Sequence, residues 1–232
     1  GIRLFARVSG VWNQMAFPSV FSMERDRVRW IYKLVDCSFE IVARATTETI
    51  EYVAVSISGT MPALRMTWEV CGDPNEFDGA PEVEWDVQKK LLSVFPANGS
   101  LLKNKFSESC LLARLDAADC SVDGAQQLGG KNEPYVVLDF PAGEFRLMLT
   151  GHYEGKAEAL DRFGKAKEPD WDSLMAHFNL KSDSPVASKL ADTLKWYAHN
   201  AMIHFAAPRG MEQYGAAAWG TRDVCQGPLE FL

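Results

Sequence analysis

LRMTWEV, residues 64–70, alternates apolar and polar side chains without a break, which sets Leu64, Met66, Trp68 and Val70 on one side of an extended chain. A strand of this kind hides one face and shows the other to water, as strands of antiparallel sheets do. Reading outward, residues 39–45 (FEIVARA) and 51–58 (EYVAVSIS) alternate in part and are rich in β-branched and aromatic types. Strand-like pieces resume at 91–95, 109–115, 135–140 and 144–149. Between them lie turn residues: Gly59 and Pro62, the Asp-Pro, Asp-Gly and Ala-Pro steps of 71–81, residues 96–99, Asp123 with Gly124, and Gly129 with Gly130. Many strands closed by such turns, with no helical pattern among them, predict an antiparallel β-sandwich over residues 1–150.

Beyond Gly151 the period changes. Residues 156–163 fit a short helix, and Pro169-Asp170-Trp171 opens another that ends near Leu180. The sharpest start signal is Ser184-Pro185, a capping hydroxyl followed by a proline whose missing N–H costs little in the first turn. From there Val186, Leu190, Leu194, Tyr197, Ala201 and Phe205 recur at steps of three and four, the spacing of one buried helical stripe. The expected organisation is a sandwich at 1–150, a helical linker at 151–184, and a long helix with a following loop at 185–232. QGPLEFL, residues 226–232, reads as the start of another helix too short to stabilise itself, so the chain is expected to be part of a longer protein.

Composition narrows the functional classes. With 24 Lys and Arg against 31 Asp and Glu, the net charge is -7, and no basic run interleaved with aromatics offers a phosphate-binding surface. RFGKAKE, residues 162–168, is the most basic stretch and reads as a solvated turn. The five cysteines, at 37, 71, 110, 120 and 225, form no CxxC pair and suit packed, reduced thiols. No apolar run is long enough for a membrane span and the first residues lack a signal-sequence pattern, so a cytoplasmic protein is expected, with neither nucleic acid nor membrane among its partners.

Common catalytic motifs are missing from the sequence: there is no phosphate loop, no G-x-S-x-G elbow and no H-E-x-x-H pair. His199 and His204 stand five apart on the long helix, about 140° around it, so one face cannot present both to a metal. The carboxylate pairs Asp170/Asp172, Glu82/Glu84 and Asp116/Asp119 read as caps or solvated groups. No catalytic residue, cofactor site or metal site is assigned.

One stretch stands apart. MEQYGAAAWGTRDVCQGP, residues 211–228, gathers Gln213, Tyr214, Trp219, Arg222, Asp223 and Gln226 among small residues that allow close backbone approach. An aromatic plane can stack on the apolar face of a sugar while Arg, Asp and Gln reach its hydroxyls. A Gly/Ala-rich loop between domains, held by an Arg222–Asp223 contact, would use the same residues.

WYAHNAMIHFAAPRGMEQYGAAAWGTRDVCQGPLEFL, residues 196–232, resembles the first part of the (α/α)6 barrel in carbohydrate-active enzymes similar to cellobiose phosphorylases and the phosphorylase domains of cyclic-glucan synthases. The resemblance implies a supersandwich-like β-sandwich, a helical linker and the beginning of the barrel, in that order. It implies that Gly220, Arg222, Asp223 and Gln226 belong to a sugar subsite beside the scissile bond, with Trp219 and Thr221 around it. The family's general acid and its phosphate-binding residues have no counterpart among these 232 residues, so the chain by itself is expected to be inactive. A complete homologue would invert an anomeric carbon, acting on an oligosaccharide with inorganic phosphate as co-substrate, or water in a hydrolase. The partners implied are an oligosaccharide, the missing barrel and a second copy of the chain, because the sandwich in this family contributes to homodimer contacts. Two other readings stay open: a carbohydrate-binding sandwich module, and a structural or dimerisation domain. Trp12, Trp30, Trp68 and Trp85 form no obvious binding row and read as core.

Overall fold

In the computed structural model the stretch that opened the reading is a strand, Leu64–Glu69, at the centre of a five-stranded antiparallel sheet. The residues described are 2–24, 26–69, 81–116, 121–124, 135–168, 170, 173 and 180–206. Numbered along the chain, the strands are β1 Ile2–Val8, β2 Val11–Gln14, β3 Val20–Met23, β4 Arg27–Lys33, β5 Ser38–Ala45, β6 Ile50–Ser58, β7 Leu64–Glu69, β8 Glu82–Asp86, β9 Leu91–Phe95, β10 Cys110–Leu115, β11 Ser121–Gly124, β12 Tyr135–Phe140 and β13 Phe145–His152. Helices α1, Leu101–Lys105, and α2, Lys156–Lys165, belong with them to the unit Gly1–Pro169. Helix α3, Pro185–Ala206, belongs to the unit Asp170–Leu232.

The smaller sheet has the order β11-β12-β7-β1-β2 and the larger β3-β4-β5-β6-β13-β10-β9-β8. Their pairings are antiparallel throughout. The expected antiparallel sandwich is therefore the observed fold. Alternation decides which side chains enter it: Leu64, Met66 and Trp68 of β7 and Val136, Leu138 and Phe140 of β12 meet Phe39, Ile41, Leu92, Val94, Leu115, Leu147 and Leu149 of the larger sheet in one core. Phe140 stacks on Phe145 at 3.9 Å between ring centroids, joining the sheets across the short turn between β12 and β13. Burial of each such Leu or Phe contributes about 1.5–3 kcal/mol.

The larger sheet runs as two meanders, β3 to β6 and β8 to β10, and β13 lies between them. Its outer face is partly covered by α2, whose Ala159 and Phe163 join Leu91, Cys110 and Leu112 in a second apolar cluster. Arg114 reaches over the Phe163 ring at 4.3 Å.

Strands β1 to β4, β8 and β11 were not anticipated, and Asp123 and Gly124, expected in a turn, belong to β11. β1 and β2 form a hairpin closed by Ser9 and Gly10, both at positive φ (51° and 81°), the backbone that a two-residue turn of matching twist requires. Trp12 does not enter the core: it lies opposite Arg7 on the outer face, with the Arg65 guanidinium 4.6 Å above its ring.

The long helix begins as expected, the Ser184 carbonyl accepting from the Ser188 amide at 3.0 Å. Its covered stripe shares Leu194 with the expected one but is otherwise shifted, and the burial of Ala201 and Phe205 lies outside what is described. Val186, Leu190 and Tyr197 are 77%, 57% and 64% exposed, whereas Ala198 is fully buried and Ala187, Ala191 and Leu194 are half-buried. Both sets recur at steps of three and four; the covered one is lined by alanines, which let a neighbouring surface come close at little cost in side-chain entropy.

Candidate functional site

The sugar-binding residues expected from the sequence, Gln213, Tyr214, Trp219, Arg222, Asp223 and Gln226, lie outside the described residues, as do Asp119, Asp172 and three of the cysteines. What the structure places is the framework that precedes them. Helix α3 runs to Ala206, with Trp196 edge-on to His199 at 6.4 Å. Glu82 and Glu84 stand on the edge strand β8, where Glu84 accepts from Lys156 Nζ at 2.8 Å. Asp170 accepts the Ser173 amide at 3.0 Å, the hydrogen bond of a capping carboxylate. Cys37 and Cys110 are buried free thiols, and burial pushes both above the ordinary thiol range.

The outer face of the larger sheet carries a buried charge network. Glu51 on β6, its side chain 2% exposed, accepts from Arg44 of β5 and Arg146 of β13. Arg44 also holds Glu168 at 2.6 Å, and Arg162 of α2 holds Glu48 at 3.2 Å. Thr47 and Lys167 exchange two hydrogen bonds, through the Thr47 amide at 2.9 Å and its hydroxyl at 3.2 Å. The stretch 162–168, read as a free turn, is thus the end of α2 and its exit, clasped to the β5–β6 hairpin. Each carboxylate has an arginine and each arginine a carboxylate, the pattern of a structural clamp.

A concave feature lies at the β2–β4 end of the sandwich. Between β1 and the β2–β3 connection on one side and β4 to β6 on the other is a half-open cavity of about 400 Å³. Trp30, Tyr32 and Tyr52 supply rings, with Met15, Ile41 and Met66 beneath them. The Tyr32 hydroxyl donates to the Met15 carbonyl at 3.3 Å, and burial raises the ionisation of Tyr32 and Tyr52 above the usual phenol range. Sequence reading placed Trp30 in the core; the alternation in RVRWIYK, residues 27–33, carries the signal that Trp30 and Tyr32 share one face. That this face runs past the cover of the smaller sheet cannot be read from one strand.

With fold and framework in place, comparison with known proteins shows a carbohydrate-active relationship. The chain is 29% identical over 242 aligned residues to 1,2-beta-oligoglucan phosphorylase of Listeria innocua serovar 6a, an alignment that takes in 100% of this chain and 22% of that protein. The resemblance seen at residues 196–232 therefore extends over the whole chain, which spans about a fifth of that relative's length. No protein-family model matches. Among solved structures, the GH92 inverting mannosidase of Bacteroides thetaiotaomicron aligns at 7% identity with a TM-score of 0.48, over 88% of this chain and 26% of that one. A polysaccharide lyase aligns at 13% identity with a TM-score of 0.42, over 70% and 27%.

Proposed function

We propose that this chain is the sandwich, linker and first barrel segment of an inverting phosphorylase of gluco-oligosaccharides. The observation that carries the reading is the sequence match along its full length to a much longer oligoglucan phosphorylase. The match to a phosphorylase favours inorganic phosphate over water as the attacking group. Trp219, Tyr214 and Gln213 would wall a sugar subsite, while Arg222, Asp223 and Gln226 would hold hydroxyls there. These are positioning roles, because in the family that residues 196–232 resemble the general acid is an Asp much further into the barrel. In the complete enzyme a phosphate oxygen attacks the anomeric carbon as the glycosidic C–O bond breaks, and a carboxylic acid from outside these 232 residues protonates the departing oxygen. Attack on a β-linkage from the opposite face yields the α-glycosyl phosphate. The protein would work in the cytoplasm, where phosphate is at hand.

The test is an assay of a longer protein containing this sequence, fed β-1,2-linked and other gluco-oligosaccharides with and without inorganic phosphate. Phosphate-dependent release of an α-glucosyl phosphate is expected, and none from the 232-residue chain alone. Arg222→Ala and Asp223→Asn in the longer protein should each lower kcat/KM about tenfold or more, since a hydrogen bond to a charged group is worth about 1.5–3 kcal/mol. Substantial turnover by the isolated chain, or phosphate-independent cleavage by the longer one, would reject the reading.

A further inference from the structure

We infer that the cavity between β1 and β4–β6 is a second, non-catalytic saccharide site on the sandwich. The inference rests on the reading above for the kind of ligand, but its observations come from the unit Gly1–Pro169. The cavity, at about 400 Å³, falls in the range of small-molecule sites and has the scale of a mono- or disaccharide.

Its lining has the right division of chemistry. Trp30 and Tyr52 are only partly buried: both pack against the core and line the cavity, Trp30 with Phe21 tilted against it at 6.1 Å. Each carries a polar group that a buried aromatic normally satisfies, an indole N–H and a phenol O–H. Among the described residues neither group has a hydrogen-bond partner, whereas the neighbouring Tyr32 hydroxyl is committed to the Met15 carbonyl. Arg3 and Gln14 also line the cavity, and with the indole N–H and the phenol O–H they suit a sugar, whose C–H face stacks on a ring while its hydroxyls meet these polar groups. No carboxylate lines the cavity among the described residues, so it offers neither the acid nor the base for cleavage and would hold a glycan chain without cutting it. Such a site would retain a long substrate between turnovers.

The probe is titration of the 232-residue chain with β-1,2-gluco-oligosaccharides of two to six units, read by calorimetry and by indole chemical shifts, with thermal melts as a control on folding. Binding in the low millimolar range is expected. Tyr52→Phe keeps the ring and removes only the hydroxyl, so it should weaken binding about fivefold or more with little change in melting temperature, and Trp30→Phe, which removes the indole N–H together with part of the ring, should weaken binding at least as much. Trp219→Ala should leave this binding in place. The inference is overturned if the wild type fails to bind at about 20 mM saccharide, if both conservative variants bind as well as wild type, or if Trp219→Ala alone abolishes binding. An apolar dye that binds where saccharides do not would also overturn it. Phosphorolysis by the longer protein without saccharide binding here would sink this site and leave the proposed function standing; binding here without phosphorolysis would do the reverse.

Discussion

Gly59 follows β6 at φ +69°, and a Cβ built on it would lie 2.2 Å from the Asp36 carbonyl oxygen. Both the backbone angle and the contact require glycine, so Gly59→Ala should destabilise the chain by about 2–3 kcal/mol, read from urea denaturation. The sequence marks Gly59 as a break; the reason only glycine fits there is a carbonyl from the β4–β5 turn, which no local pattern contains. The thiols follow from burial in the same way. At pH 8 Cys37 and Cys110 should alkylate at least about tenfold more slowly in the native chain than in urea, measured peptide by peptide. Asp26 gives a pH signature. The Arg27 hydrogen bond holds its carboxyl below the ordinary value of 3.8. A lowered folded-state value means that its contribution is present above that value and fades as pH falls through the folded one. Asp26→Asn should therefore lower stability modestly at neutral pH, where the contribution is fully present, and shallow the acid limb below about pH 4, where it is already lost in the wild type.

At the scale of elements, the charge network on Glu51 joins β5, β6 and β13 and, through Glu168, the segment after α2. Glu51→Gln keeps the volume and removes the charge, and should cost about 2 kcal/mol, while Glu168→Gln at the exposed rim should cost less than about 0.5 kcal/mol. Equal losses would show that burial does not set the strength of these pairs. The helix α3 gives a sharper contrast. Leu190→Ser on the exposed stripe should move the melting temperature little, whereas Ala198→Leu should overpack the covered face and destabilise by about 1–3 kcal/mol. Here the sequence is ambiguous for a physical reason: leucines and alanines both recur at helical spacing, and hydrophobicity ranks the leucines first although close approach favours the alanines. Sequence reading did find the helix start at Ser184 and the strands whose side chains alternate strongly. It missed β1 to β4, β8 and β11, although Val8-Ser9-Gly10-Val11 is a hairpin signal and residues 27–33 alternate; β3, β8 and β11, at four or five residues, are too short to show a period.

For the whole molecule, the sandwich was legible because turn residues punctuate its strands, whereas the pairing of distant strands and the cavity they enclose arise only on assembly. The sugar-site reading rests on the motif at 211–228 and on the match to the phosphorylase, not on described geometry. The unit Gly1–Pro169 contains both sheets, the shared core and α2, so residues 1–169 produced alone should unfold in one cooperative transition, seen as coincident far-ultraviolet and tryptophan signals. Two separated transitions would contradict a common core. The place of β13 bears on how such a chain is made. Among the described residues it is the last strand in sequence yet sits mid-sheet, and its Arg146 meets Glu51 from 95 positions away. On the ribosome the two meanders emerge first, each with an unpaired edge where β13 will insert, and neither can join the other until residue 152 has left the exit tunnel. Nascent chains arrested before that point should stay protease-sensitive and recruit chaperones, and release of the final strand should close the sheet in a single late event.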